Sequence, residues 1–213
     1  MRYAALILLA IAGPSRADDL GLRVPPNFRV TLWADHTLAD DIYTLALDEK
    51  GRVVVSGPGY VRRLEDTDGD GKADKPTDIA STKTGGMGLL FAFDSEHPDF
   101  DLYHSGDGKI LGHNGLHKGD RYPMYHEMIK TWPFGEHGGH ALKIGPDGYL
   151  YAIAGNDAKI GQLHQSSWSP IREPEGGGVL RFRSYEKPDA EILAHGFRNP
   201  YDFDFTPYGD IIT

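Results

Sequence analysis

Two short segments carry side chains that could perform acid–base chemistry. The first runs from Gly135 to His140 and places two histidines three residues apart in a glycine-rich stretch. A histidine suits a general base near neutral pH, and a histidine pair could also ligate a metal. Glycines allow the backbone and a ligand to approach closely. His137 is therefore a candidate base, and a surface histidine pair in a turn is the alternative.

The second segment runs from His195 to Pro200 and contains Arg198 and Asn199. A guanidinium group offers a planar set of donors that suits a carboxylate or an oxyanion. Arg198 is therefore a candidate for binding a negatively charged group. The alternative is an ordinary ion pair between this arginine and an aspartate of a neighbouring sheet.

A third segment, Asp66 to Asp74, has the spacing of a calcium-binding loop. Carboxylates stand at loop positions 1, 3, 5 and 9, which are Asp66, Asp68, Asp70 and Asp74. The backbone carbonyl of Lys72 is expected at position 7, and a glycine stands at the sharp turn. Position 12 lacks the glutamate of an EF-hand, so we predict a structural calcium loop in a hairpin. The alternative is a solvated acidic turn without metal.

The elements that position these residues are predicted from a repeated hairpin pattern. Alternating apolar residues lead into a glycine-containing turn and then into a second short apolar run. Four copies occur, at 42–56, 88–104, 140–154 and 201–213. Their spacing is near the ~40–50 residues of one propeller blade, and a further outer strand is expected at 179–183. We predict an all-β propeller of four-stranded blades rather than a β-sandwich.

The two candidate segments hold equivalent places in this repeat. The segment with His137 precedes the third hairpin, and the segment with Arg198 precedes the fourth. Blades stack around a common axis, so equivalent positions lie at the same end of the propeller. The pattern therefore predicts that His137 and Arg198 face one central well.

The run from His137 to Tyr151, followed by Gly155-Asn156 and later by Gly196 to Pro200, resembles the soluble quinoprotein glucose dehydrogenase and sorbosone dehydrogenase family. Within it, the chain looks most similar to large exported "membrane-bound dehydrogenase" relatives of planctomycete-type bacteria. The resemblance extends from about Phe28 to Thr213. It implies a six-bladed propeller that binds pyrroloquinoline quinone and calcium.

The resemblance also implies roles for individual residues. His137 would take the hydroxyl proton as hydride passes to the quinone, Arg198 would steady the developing charge and the quinone, and Asn199 would hold a polar group of the cofactor. Asn156 stands where the family has an aspartate near the cofactor, and Gly86 stands where the glucose enzymes have a glutamine. The Asp66–Asp74 loop lies outside the family's catalytic calcium site.

These motifs favour an oxidoreductase that acts on a sugar or an alcohol and passes electrons to an acceptor such as a cytochrome or a quinone. A propeller hydrolase of the lactonase type is a second hypothesis. It would need a channel calcium, and histidine and arginine are poor ligands for that cation. A non-catalytic propeller that binds glycans or proteins is the third, because one fold supports many functions.

Composition and charge narrow the choice of partners and compartment. The formal net charge is −9 at pH 7, which disfavours nucleic acid as a partner. Cysteine is absent, which excludes disulfides, thiolate catalysis and a covalently attached c-type haem in this chain. An apolar run from Ala4 to Ala12 is followed by Ser15-Arg16-Ala17, with small residues at the two positions that a signal peptidase reads. This predicts a signal peptide over 1–17, cleaved after Ala17, rather than a membrane anchor. We therefore expect a periplasmic or secreted protein.

The domain organisation predicted from these features is simple. Residues 18–213 should form a partial propeller of about four blades that ends before the ring closes. We expect the complete gene product to be an enzyme. We expect the 213-residue chain alone to be inactive, because missing blades should supply part of the cofactor pocket.

Overall fold

Antiparallel strands that pair with their neighbours in sequence build the fold. The computed structural model describes residues 21–92, 100–114, 124–129, 132, 135–183 and 189–213, so the predicted signal peptide lies outside the described residues. Three four-stranded sheets and one two-stranded hairpin follow one another along the chain. The strands are β1 (Thr44–Leu47), β2 (Val53–Gly57), β3 (Tyr60–Glu65), β4 (Lys75–Ala80), β5 (Gly86–Phe91), β6 (Leu102–Gly106), β7 (Lys109–Asn114), β8 (Met124–Ile129), β9 (Gly139–Ile144), β10 (Leu150–Ala154), β11 (Gly177–Phe182), β12 (Ala190–Phe197), β13 (Asp204–Phe205) and β14 (Ile211–Ile212).

Each sheet begins with one of the hairpins predicted from the sequence. The turn glycines Gly51, Gly148 and Gly209 have φ values of 73°, 79° and 88°, a conformation that glycine adopts without strain. Strands β1–β4 form blade 1, β5–β8 form blade 2 and β9–β12 form blade 3, while β13 and β14 form a fourth hairpin. The prediction of an all-β propeller with four-stranded blades, about four of them in this chain, is confirmed.

The first strands of the three blades lie side by side. Strand β5 packs between β1 and β9. The backbones of β5 and β9 approach so closely that a Cβ atom on Gly88 would lie 2.4 Å from the carbonyl oxygen of His140. A side chain at position 88 would therefore separate blades 2 and 3.

The hydrophobic core lies between the faces of successive blades. Blade 2 packs on blade 3 through buried residues that include Tyr103, Trp132, Leu142 and Phe182. Blade 1 packs on blade 2 through a smaller cluster: Val54, Val61, Ile79, Leu89 and Leu102. Blade 3 packs on the fourth hairpin through Tyr151, Ile153, Val179 and Phe203. The candidate segments thus connect sheets whose relative positions are set by buried apolar contacts.

The long connection between β10 and β11 runs along the outer edge of blade 3. There the backbone of Ala190 donates to His164 at 2.9 Å, and the backbone of Ser166 donates to Ala190 at 3.0 Å. These bonds cover part of the free edge of β12, which would otherwise expose unpaired backbone groups. The connection is therefore anchored on β12 as well as on the strands that it joins.

Candidate active site

Three connecting segments meet at one end of blade 3. They are the segment before β9, the segment after β10 and the segment after β12. The backbone N–H of Asn156 donates to the carbonyl of Arg198 at 3.0 Å, and that of Asp157 donates to the carbonyl of His137 at 2.9 Å. Gly155 lies between them, and a Cβ atom there would lie 2.5 Å from His137 O and 2.7 Å from Arg198 O. We call this meeting point the junction.

The His137 side chain is held by the amide of Asn156. Its Nδ1 lies 2.7 Å from Asn156 Oδ1, and the Asn156 Nδ2 donates to Asp157 Oδ1 at 3.3 Å. Because the amide nitrogen faces a carboxylate, the amide oxygen faces the imidazole and accepts from Nδ1–H. The neutral ring then carries its lone pair on Nε2. Asn156 thus selects the tautomer in which Nε2 can accept a proton.

The acidic neighbour Glu136 completes the polar surroundings of His137. Its Oε1 lies 3.9 Å from His137 Nε2, and the Asn199 amide donates to the same oxygen at 3.3 Å. The Glu136 side chain is 80% exposed and that of His137 is 19% exposed. Glu136 therefore lies beside both His137 and Asn199 at the junction.

Arg198 contributes to the junction through its backbone. Its carbonyl accepts from Asn156, whereas its side chain is exposed and makes no hydrogen bond or ion pair with another described residue. The alternative ion pair with an aspartate of a neighbouring sheet is therefore absent among those residues. The guanidinium group remains available for an anionic ligand.

The structure thus brings together four residues that the sequence singled out: His137, Asn156, Arg198 and Asn199. It also adds Glu136, for which no role was predicted, and His140, which was considered only as a metal ligand together with His137. Glu136 could have been suspected, since it precedes the candidate base and is ionisable. The contact between Glu136 and Asn199 spans 63 residues and could not be read from local spacing.

The glycine at position 86 has a steric explanation. A Cβ atom there would lie 2.2 Å from Nε2 of His104, a fully buried residue of β6 that also contacts Ser56 Oγ at 3.2 Å. The imidazole of His104 occupies the space that a larger residue at 86 would need. Blade 2 therefore presents only backbone at this position.

A cavity of about 100 Å³ opens between the first strands of the blades. It is lined by Thr44, Met87, Lys143, Tyr201 and Asp202, among others. Lys143 Nζ lies 3.5 Å from Asp202 Oδ1. The wall is thus partly polar and carries one aromatic ring from the segment that follows Asn199.

The predicted calcium loop is an exposed turn between β3 and β4. Oxygens of Asp66, Asp68 and Asp74 lie within 4.8 Å of one another. Asp70 does not belong to this group, and it accepts from the backbone N–H of Lys72 at 2.8 Å. Backbone N–H groups, foremost that of Gly71, hold the pKa of Asp66 below its usual value. The loop therefore gathers three carboxylates around a point that a cation could occupy.

In the part of the chain that the structure describes, no helix has the length and apolar character needed to cross a bilayer.

Fold and junction together define an all-β propeller with a histidine-centred polar site at one end of its blades. No protein-family profile and no curated protein matches the sequence. Ten chains of known structure resemble the fold. One is a protein from Thermus thermophilus that is described as an oxidoreductase (glucose dehydrogenase). It has 22% identity and a TM-score of 0.52, and the match covers 84% of this chain and 55% of that one.

A second similar structure is the PQQ-bound form of an aldose sugar dehydrogenase from Streptomyces coelicolor. It has 18% identity and a TM-score of 0.49, and the match covers 80% of this chain and 55% of that one. This chain therefore spans about half the length of both structures. At 22% identity, the similarity to the Thermus thermophilus structure supports the fold alone. The function is inferred from the residues of the site.

Proposed function

We propose that the complete protein is an exported dehydrogenase that oxidises a sugar or an alcohol with pyrroloquinoline quinone as cofactor and His137 as the general base. One observation carries the proposal: Nδ1 of His137 lies 2.7 Å from Asn156 Oδ1. This contact leaves Nε2 as the basic nitrogen at a junction to which the Arg198 segment adds an exposed guanidinium group.

The residues at the junction suit the chemistry of this cofactor. Pyrroloquinoline quinone carries carboxylates and quinone oxygens, and the exposed Arg198 guanidinium would hold one such group in a planar, charge-assisted contact. Asn199 would offer an amide to another. When bound, the quinone supplies the hydride acceptor that side chains lack.

The protein's own part in the reaction is orientation and proton transfer. His137 accepts the hydroxyl proton of the substrate at Nε2, while the hydrogen bond to Asn156 Oδ1 keeps the other ring proton on Nδ1. The Glu136 carboxylate lies 3.9 Å from the nitrogen that takes this proton. The substrate is a small sugar or alcohol, and a cytochrome or a quinone takes the electrons. We also propose that residues 1–17 direct export to the periplasm or beyond.

Replacement of the base provides the direct test. In the full-length protein loaded with pyrroloquinoline quinone, we expect His137→Gln to lower the rate of dye reduction with aldoses or alcohols about 10²–10⁴-fold, the range for general bases. Quinone binding, followed by its absorbance, should persist. The exposed His164, paired with Asp189 at 2.8 Å on the outer edge of blade 3, supplies the control His164→Gln, which should retain activity.

Other outcomes of the same experiment would reject the proposal. An unchanged rate in His137→Gln would show that His137 is not the general base. Turnover of a lactone without quinone would identify a hydrolase, and no spectral change on adding quinone would identify a binding propeller.

We further propose that the loop from Asp66 to Asp74 binds a structural calcium ion through the carboxylates of Asp66, Asp68, Asp70 and Asp74 and the backbone carbonyl of Lys72. Support comes from the three carboxylates that converge within 4.8 Å. The loop joins β3 to β4, and the N–H of Ala73 within it donates to the carbonyl of Trp33 at 2.7 Å. Calcium would therefore tie the segment before β1 to blade 1.

Calcium should stabilise the folded chain by mass action. At a concentration 100-fold above the dissociation constant, we expect a gain of about 2.7 kcal/mol in the free energy of unfolding, measured by urea denaturation with calcium or with chelator. Asp68→Ala should abolish the gain. Glu49→Gln, which neutralises an exposed acid in the β1–β2 turn, should retain it. Equal stability of the parent protein with and without calcium would contradict the proposal.

A further inference from the structure

His140 is a buried residue with one specific polar contact beside the junction. The residue is 1% exposed. Its Nε2 lies 3.1 Å from the carbonyl oxygen of Gly135, so the neutral ring donates Nε2–H to this oxygen. The same carbonyl accepts from the backbone N–H of Gly138 at 2.8 Å. His140 therefore supports the turn that presents His137.

The ring of His140 also contacts Tyr201, which follows the Arg198-Asn199 pair. The two ring centroids lie 5.5 Å apart with an interplanar angle of 81°, an edge-to-face arrangement. The hydroxyl of Tyr201 donates to the carbonyl of Tyr43, just before β1, at 3.0 Å. Contacts thus run from the start of blade 1 through Tyr201 and His140 to the turn that carries His137.

The polar character of His140 calls for an explanation. With Nε2 donating, Nδ1 is the acceptor, and it has no hydrogen-bond partner among the described residues although it is buried. A buried acceptor without a partner costs free energy, which an apolar side chain of similar size would avoid. The bond from Nε2 to Gly135 is the feature that an apolar residue could not reproduce.

We propose that His140 and Tyr201 are positioning residues for His137. His140 holds the turn from Gly135 to Gly138 through its Nε2–H, and Tyr201 keeps His140 in place while linking the Arg198 segment to blade 1. The orientation of His137 toward Asn156, and with it the tautomer of His137, depends on this support. The inference rests on the proposed function in one respect, which is that His137 acts as the general base.

The test separates hydrogen bonding from packing with two variants of the same residue. His140→Gln keeps a side-chain N–H donor, and His140→Leu fills space without one. The full-length protein is labelled with ¹⁵N-histidine, and the ring nitrogen resonances of His137 are assigned by their loss in His137→Gln. These resonances report which ring nitrogen carries the proton, and their measurement requires neither cofactor nor substrate.

We expect the parent protein and His140→Gln to show His137 with its proton on Nδ1, and His140→Leu to show averaged signals of both tautomers. In the quinone-loaded protein, kcat should fall by up to about 100-fold in His140→Leu, with KM within about twofold, because a displacement of about 1 Å at a reacting group costs about that much in rate. His140→Gln should recover most of this loss.

Two tyrosine variants, one of them a control, extend the test to Tyr201. Tyr201→Phe, which loses the hydroxyl contact to Tyr43, should shift the His137 signals in the same direction by a smaller amount. Tyr208→Phe should leave them unchanged, since Tyr208 is 93% exposed. Unaltered His137 resonances in His140→Leu, or identical behaviour of the Leu and Gln variants, would overturn the inference. A parent protein without dehydrogenase activity but with the expected resonances would reject the proposed function alone.

Discussion

Gly155→Ala is expected to abolish most of the activity of the complete protein by separating the segments that meet at the junction. The added Cβ atom would lie 2.5 Å from His137 O and 2.7 Å from Arg198 O, and both are backbone atoms that cannot rotate away. Overpacking of this kind costs about 1–3 kcal/mol of stability. A displacement of about 1 Å at a reacting group costs about 100-fold in rate. We therefore expect a fall of about 100-fold in kcat/KM in the quinone-loaded enzyme.

Gly161→Ala is a matched control in the same connection between β10 and β11. A Cβ atom at Gly161 would meet only Pro174, at distances of 3.5 Å or more, which is ordinary van der Waals contact. Its activity and unfolding free energy should equal those of the parent. Full activity in Gly155→Ala would show that the close approach of the three segments is dispensable, and it would weaken the assignment of the junction as the active site.

Acidification should unfold the chain through two histidines buried in blade 2. Burial lowers the pKa of His104 to about 4 and that of His113 to about 3, in the second case with added repulsion from His104. An unfolded histidine titrates near pH 6.5, so between pH 6.5 and 4 the unfolded chain binds more protons than the folded chain. Stability therefore falls as the pH falls through this range, by about 1.4 kcal/mol per pH unit for each imidazole.

Urea denaturation at several pH values between 7 and 4 measures this slope. His104→Gln should remove about half of it, because the variant has no imidazole to protonate at that position. Ser56→Ala removes the contact at 3.2 Å but leaves His104 buried, so it should lower the unfolding free energy at every pH while retaining the slope. A parent protein whose stability is constant between pH 7 and 5 would contradict the prediction.

The hairpins were the most predictable part of the fold. Alternation of apolar residues and a turn glycine mark β9 and β10 around Gly148, because a strand with two different faces has a period of two. The outer strand expected at 179–183 matches β11 (Gly177–Phe182). Strand β4, with the sequence Lys75-Pro-Thr-Asp-Ile-Ala80, has no such pattern, since it lies at a blade edge and most of its residues are partly or fully exposed.

The residues of the candidate site were identified in the sequence, but their contacts were not. His137 and Arg198 were expected at one end of the propeller, and the structure joins their segments through the backbone N–H groups of Asn156 and Asp157. The contacts of Asn156 with His137 and of Tyr201 with Tyr43 bridge 19 and 158 residues. Spacing along one strand carries no information about such pairs, because they form only after the blades have packed.

Local chemistry in the sequence determined the class of the fold, the turn positions and the candidate base. These follow from side-chain period, from glycine's tolerance of positive φ and from the ionisation range of imidazole. Only the tertiary structure decided which nitrogen of His137 contacts Asn156, why position 86 is a glycine and why His140 is polar. Each of these depends on a neighbour from another strand or blade, at a distance that packing sets and composition does not encode.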